Sequence, residues 1–176
     1  MGQAKDFTVT TFGLVIAFFL PGLLGLYGFS LWDDQAAETF QTFKTSKSNI
    51  GLFLLLLMAS LTVGLTLTPI RALVFEEIIC KNDKPDADLY KNLYRDNRHE
   101  GFRTIIDEQY RYHQFWGNSS LAAIPLMVRV TLNRFSSSIL SGTLAMLAFA
   151  VVEGVTVWAA MEGYRRYVKK VNALLT

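Results

Sequence analysis

The sequence predicts an all-α integral membrane protein with four transmembrane helices and a short helical cytoplasmic insert between the second and third. Three observations predict this. Apolar residues make up 51% of the 176 residues and the mean hydropathy is +0.27, beyond the usual range of a soluble domain. Three stretches reach the roughly 20 apolar residues that a spanning helix needs. Lys and Arg gather in two clusters, and an even number of spans puts both on one side, where short cytoplasmic loops are rich in these residues.

The first apolar stretch runs from Thr11 to Trp32. Pro21-Gly22 is expected to kink it. Gly22, Gly25 and Gly28 follow at steps of three, and small residues let helix backbones approach closely in lipid. A cleaved signal peptide ending near Ser30 is the alternative. The long apolar run and the barely basic MGQAKD start weigh against it. The loop from Asp33 to Asn49 carries Lys44 and Lys47 against Asp33, Asp34 and Glu38, which suits the outer side.

The second stretch runs from Ile50 to about Val74. Ser60, Gly64 and Thr68 form a small-residue ridge on it at steps of four. Residues 1–74 therefore read as the first helix pair. Residues 75–114 read as the cytoplasmic insert. Asn82-Asp83-Lys84-Pro85-Asp86 is turn chemistry, and Leu89/Leu93 and Phe102/Ile106/Tyr110 repeat at four, as on a helix. Arg71 to Arg111 holds eight basic and nine acidic residues, a pattern of internally paired, solvated faces.

The third span, Phe115 to Leu132, is the weakest, because Asn118, Ser119, Ser120, Pro125 and Arg129 interrupt it. Arg129 lies near its outer end and is expected to snorkel outward. The last span runs from about Ser137 to Met161, so residues 115–162 read as the second pair. Residues 163–176 read as a basic tail with Arg165, Arg166, Lys169 and Lys170. With only three spans this tail would lie outside, against the charge rule. Both termini are thus expected in the cytoplasm.

Glu153 stands inside the last span, eight residues before Met161. At 1.5 Å per residue that is about 12 Å above the inner end of the helix. A carboxylate so deep costs several kcal/mol unless it faces protein or water, and it marks a functional-site hypothesis. Thr62, Thr66, Ser119 and Ser120 lie at similar depth on other spans, and Thr156 lies one turn away. These define an expected intramembrane polar layer. It reads as a hydrogen-bonded clasp between helices, as a ring lining a cation path in an oligomer, or as a site for a headgroup or partner helix.

A net charge of +2 offers no basic patch for a nucleic acid. The single cysteine, Cys80, makes no internal disulfide. Asp96 and His99 have a carboxylate-x-x-His spacing, but helical di-metal sites need two such motifs. No phosphate loop or catalytic triad spacing is present. The expectation is no enzyme, no cofactor and no metal. The expected partners are the lipid bilayer, further copies of the chain, and a protein held by Tyr90, Tyr94 and Phe102 of the insert. Two function classes remain open. The favoured one, because the chain has little extramembrane mass with which to scaffold a partner, is a small oligomeric membrane protein that conducts ions or perturbs the bilayer, controlled through its insert. The other is a non-conducting accessory or scaffold subunit that binds a partner there.

Overall fold

Backbone hydrogen bonding inside helices dominates the structure, a computed structural model that describes residues 13, 15–45, 50–85 and 99–176. Among these residues there is no strand. Helix α1 covers Val15–Ser30 and α2 covers Asp34–Thr45. Helix α3 covers Ile50–Ile79. Helix α4, His99–Ile105, continues through a π-helical stretch, Ile106–Tyr110, into α5, Arg111–Ser137. Helix α6 covers Ile139–Leu175.

Two helices, α3 and α6, are long and apolar enough to cross a membrane. Helix α1 is apolar but shorter. Helix α5 has 27 residues, about 40 Å of rise against a hydrocarbon core of roughly 30 Å, yet its polar interruptions leave it outside the apolar class. The long helices expose many large apolar side chains. Leu55 is 62% exposed, Ile139 79% and Val151 67%, and large exposed apolar patches mark protein–protein or membrane interaction sites.

Small residues decide how the first three long helices meet. Gly22 of α1 lies against the Ser60 carbonyl of α3, and Gly64 lies against the Phe18 carbonyl. A Cβ at either glycine would overlap backbone. Two backbones therefore touch where sequence alone offered ridges, and α1 and α3 run antiparallel. Gly25 and Gly28 face Ala122 and Leu126 of α5, so α1 and α5 run parallel.

Pro21 has no N–H for the Ala17 carbonyl four residues earlier. The chain responds twice. Residues Val15–Phe19 widen into a π-helical turn, and Asn118 Nδ2 of α5 donates to Ala17 O at 3.0 Å. Ser138 then takes an extended conformation, φ −167° and ψ 137°, and reverses the chain. Helices α5 and α6 zip together antiparallel, with Phe135 over Gly142 at the turn and His113 beside Ala160 at the far end. Helices α1, α3, α5 and α6 thus alternate in direction, and the start of α1, the end of α3, the start of α5 and the last third of α6 lie together.

That shared end has its own small core. Tyr164, Tyr167, Val168, Val171 and Leu175 form an apolar stripe at helical spacing along α6. They pack with Cys80, and Phe102, Ile105, Ile106 and Tyr110 close over them. The segment read as a separate basic tail is the end of α6, and it shares this core with the insert. Arg165 bonds Asp83 at 3.1 Å, Arg166 bonds Glu162 at 2.8 Å and Lys170 reaches Glu108 at 3.5 Å.

Candidate functional site: two polar clusters between helices

The first cluster sits where the insert joins the long helices. Arg71, counted in sequence with the solvated basic residues, has a side chain only 1% exposed. Its stem lies over Gly117 of α5, where a Cβ would come within 2.8 Å of Arg71 Cγ. Its Nη1 donates to Glu76 Oε1 at 2.6 Å and also to His113 Nε2. Its Nη2 donates to the Tyr110 hydroxyl at 3.3 Å, and that hydroxyl donates to Glu76 Oε1 at 3.0 Å. The guanidinium carbon lies 5.5 Å from the centre of the Tyr110 ring, within cation–π range.

Local backbone form places these groups. Residues 71 and 76 are five apart, which on an α-helix puts them on different faces. Ala72–Ile79 is π-helical, with i→i+5 bonding, and this brings Glu76 back beneath Arg71. His113 is fully buried. Its Nδ1 lies 2.8 Å from the Ala160 carbonyl. A carbonyl only accepts, so Nδ1 carries the proton toward Ala160, and Nε2 is the atom that meets Arg71. Tyr164 and Phe75 flank the imidazole, with ring centres 5.1 and 6.1 Å away.

Burial pushes the Tyr110 phenol up, the Arg71 charge opposes this and the Glu76 carboxylate adds to it. Tyr110 therefore stays protonated and available as a donor. Burial likewise pushes the Cys80 thiol up, and the Asp83 carboxylate adds to the effect while Arg165 opposes it. With 1% exposure, Cys80 is a structural cysteine rather than a reactive one. The first cluster ties α3, the insert, α5 and α6 into one network.

The second cluster holds Glu153. Ser120 Oγ of α5 donates to Glu153 Oε1. Thr156 Oγ1 bonds the Glu153 backbone carbonyl at 2.9 Å and lies 3.4 Å from Oε2. The structure thus brings together Ser120, Glu153 and Thr156 from the expected polar layer. Ser119 is half-buried at the neighbouring position of α5. Thr62 and Thr66 are exposed, and their hydroxyls bond the Met58 and Thr62 carbonyls of their own helix. A threonine one turn above a carbonyl closes such a bond locally, so depth along the membrane did not bring these two to Glu153.

Of the expected packing residues, Ser60, Gly64, Gly22, Gly25 and Gly28 are buried between helices of one chain. Thr68 bonds Gly64 O at 3.2 Å. Of the expected docking residues, Tyr90 and Tyr94 lie outside the described residues. Phe102 packs against the Tyr164–Leu175 core. His99 is exposed, its partner Asp96 lies outside the described residues, and no group of three or more metal-ligating side chains gathers among those described.

Sequence reasoning missed Arg71, Glu76, Tyr110 and His113 as a unit. The available signal was a basic residue closing an apolar span with a carboxylate five later. Only a π-helix makes that spacing meaningful.

Fold and site together define a class: an all-helical protein with two helices long and apolar enough to cross a membrane and two polar clusters held between its helices. Compared with protein-family models, curated proteins and solved structures, the chain matches none.

Proposed function

We propose that the protein is a multi-pass membrane protein whose α1, α3, α5 and α6 cross the bilayer with both termini in the cytoplasm, and that it serves as a non-conducting accessory subunit. The hydrogen bond from Ser120 to Glu153 carries this reading. An ion path needs its carboxylate facing water, whereas a subunit that only holds its shape needs it facing a donor. Here both carboxylate oxygens lie near hydroxyls of the same chain. The alternating helix directions support the even number of spans. At 37 residues, α6 is about 55 Å long, so its charged last third extends past a hydrocarbon core of roughly 30 Å.

The second reading is an oligomeric ion-conducting or bilayer-perturbing assembly. One observation favours it: Ala150 and Gly154 beside Glu153 are exposed, and a Cβ on Gly154 would meet nothing within 4 Å. A neighbouring copy has room to approach there. Ion flux through proteoliposomes, wild type beside Glu153→Gln, separates the two. No flux above empty vesicles supports the accessory subunit. Flux that the substitution alters rejects it in favour of the conducting assembly.

A further inference from the structure

We propose that Arg129, held against Trp32, takes the phosphate of a phospholipid headgroup; this rests on the membrane reading above. The Arg129 guanidinium carbon lies 5.3 Å from the centre of the Trp32 ring, within cation–π range. Trp32 is itself fixed, because its Nε1 donates to the Pro125 carbonyl at 3.0 Å. Pro125 stands one turn before Arg129, so the indole is tied to the same turn of α5 that carries the arginine. Ring and cation form one unit where the chain leaves α1.

Depth and unmet donors select the ligand. Arg111 of α5 lies over Gly13, just before α1, and Arg129 lies over Trp32, just after it. The two arginines are 18 residues apart, which is about 27 Å of rise against a hydrocarbon core of roughly 30 Å. They therefore stand at the two headgroup layers. Arg111 has a carboxylate of its own chain, Asp107 at 2.7 Å. Arg129 meets no carboxylate and no hydrogen-bond acceptor among the described residues. Asp33, next to Trp32, turns its carboxylate to the Ala36 N–H at 2.8 Å. The indole covers one face of the guanidinium, but the N–H donors lie at its edge. In a headgroup layer the acceptor that matches this planar fork is a phosphate.

The surface beside the cation favours a lipid phosphate over a free one. Ile124 and Val128 of α5 stand at a step of four, and both are exposed. Phe29 of α1, three residues before Trp32, is exposed as well. These side chains lie on the membrane side of Arg129 and Trp32, so charge and apolar surface follow one another along both helices. A phospholipid matches that order, with its phosphate at Arg129 and its tails alongside Phe29, Ile124 and Val128. A free phosphate has no use for the apolar part.

The test uses the full chain, isotope-labelled at arginine Cζ, in bilayers of phosphatidylcholine. Carbon–phosphorus dipolar NMR reads which guanidinium carbons sit beside a phosphate. Arg129→Lys and Arg111→Lys each delete one signal while keeping the charge, and so assign the two. Phosphorus should dephase the Arg129 signal more strongly than the Arg111 signal. Trp32→Leu should lose most of that dephasing, and Trp32→Phe, which keeps a ring, should retain part of it. In bilayers of a phosphorus-free galactolipid with inorganic phosphate added, the Arg129 signal should show no dephasing. Dephasing at Arg129 no stronger than at Arg111 overturns the headgroup site and leaves the membrane reading intact. Dephasing by inorganic phosphate overturns the assigned source. Dephasing that Trp32→Leu leaves unchanged overturns the part given to the ring. A chain that does not stay with the bilayers overturns both readings.

Discussion

Glu76→Leu and Arg71→Met remove opposite halves of the same buried pair, and the structure predicts unequal results. The Arg71 side chain is 1% exposed and that of Glu76 is 19% exposed. Glu76→Leu leaves a guanidinium with no carboxylate and little access to water. Breaking a buried pair in this way costs about 3–5 kcal/mol. Arg71→Met leaves a carboxylate that keeps the Tyr110 hydroxyl at 3.0 Å and some solvent, so the loss is nearer the roughly 1–3 kcal/mol of an under-satisfied group. The double variant removes both charges and should recover part of the loss, since apolar replacement of a whole pair is often tolerated. At roughly 2–4 °C per kcal/mol for a chain of this size, Glu76→Leu should lower the melting temperature by about 10 °C. Cys80 supplies the assay. It is the only cysteine, it is buried, and its thiol is pushed up, so a thiol-reactive dye reads unfolding in detergent without an added label. A melting temperature lower for Arg71→Met than for Glu76→Leu, or a double variant worse than both singles, would refute the reasoning.

Two further outcomes follow from packing and hydrogen bonding. Asn118→Leu takes the donor from the Ala17 carbonyl that Pro21 already leaves without its N–H. The expected cost is about 1–3 kcal/mol, and Pro21→Ala in the same chain should restore much of it, because the new N–H can close the turn; absence of rescue would contradict the assignment. Gly64→Leu should lower thermal stability steeply and at every protein concentration, because the side chain meets the Phe18 backbone of the same chain. A loss that appears only as oligomers dissociate in detergent would place Gly64 between copies instead.

The sequence by itself determined the helical class, the apolar stretches of α3 and α6, and the polar character of the segment between them. These follow from local properties: run length, hydropathy and turn residues such as Asn82 and Asp83 act wherever the rest of the chain lies. Sequence also pointed to Glu153, because a carboxylate in an apolar run is conspicuous without any fold. It did not reveal which hydroxyls meet it. Thr62, Thr66 and Ser120 looked equivalent by depth, and only the pairing of α5 with α6 singled out Ser120. Arg71 looked like one more solvated base, and Phe102 like an exposed anchor. Tertiary structure decided both. The π-helical turn of α3 rotates Glu76 under Arg71, and Gly117 leaves space for the arginine stem. The end of α6 packs on the insert and covers one side of Phe102. Local propensity states which face of a helix is apolar. Which neighbour covers that face, and which buried charge finds a partner, depends on packing between segments distant in sequence.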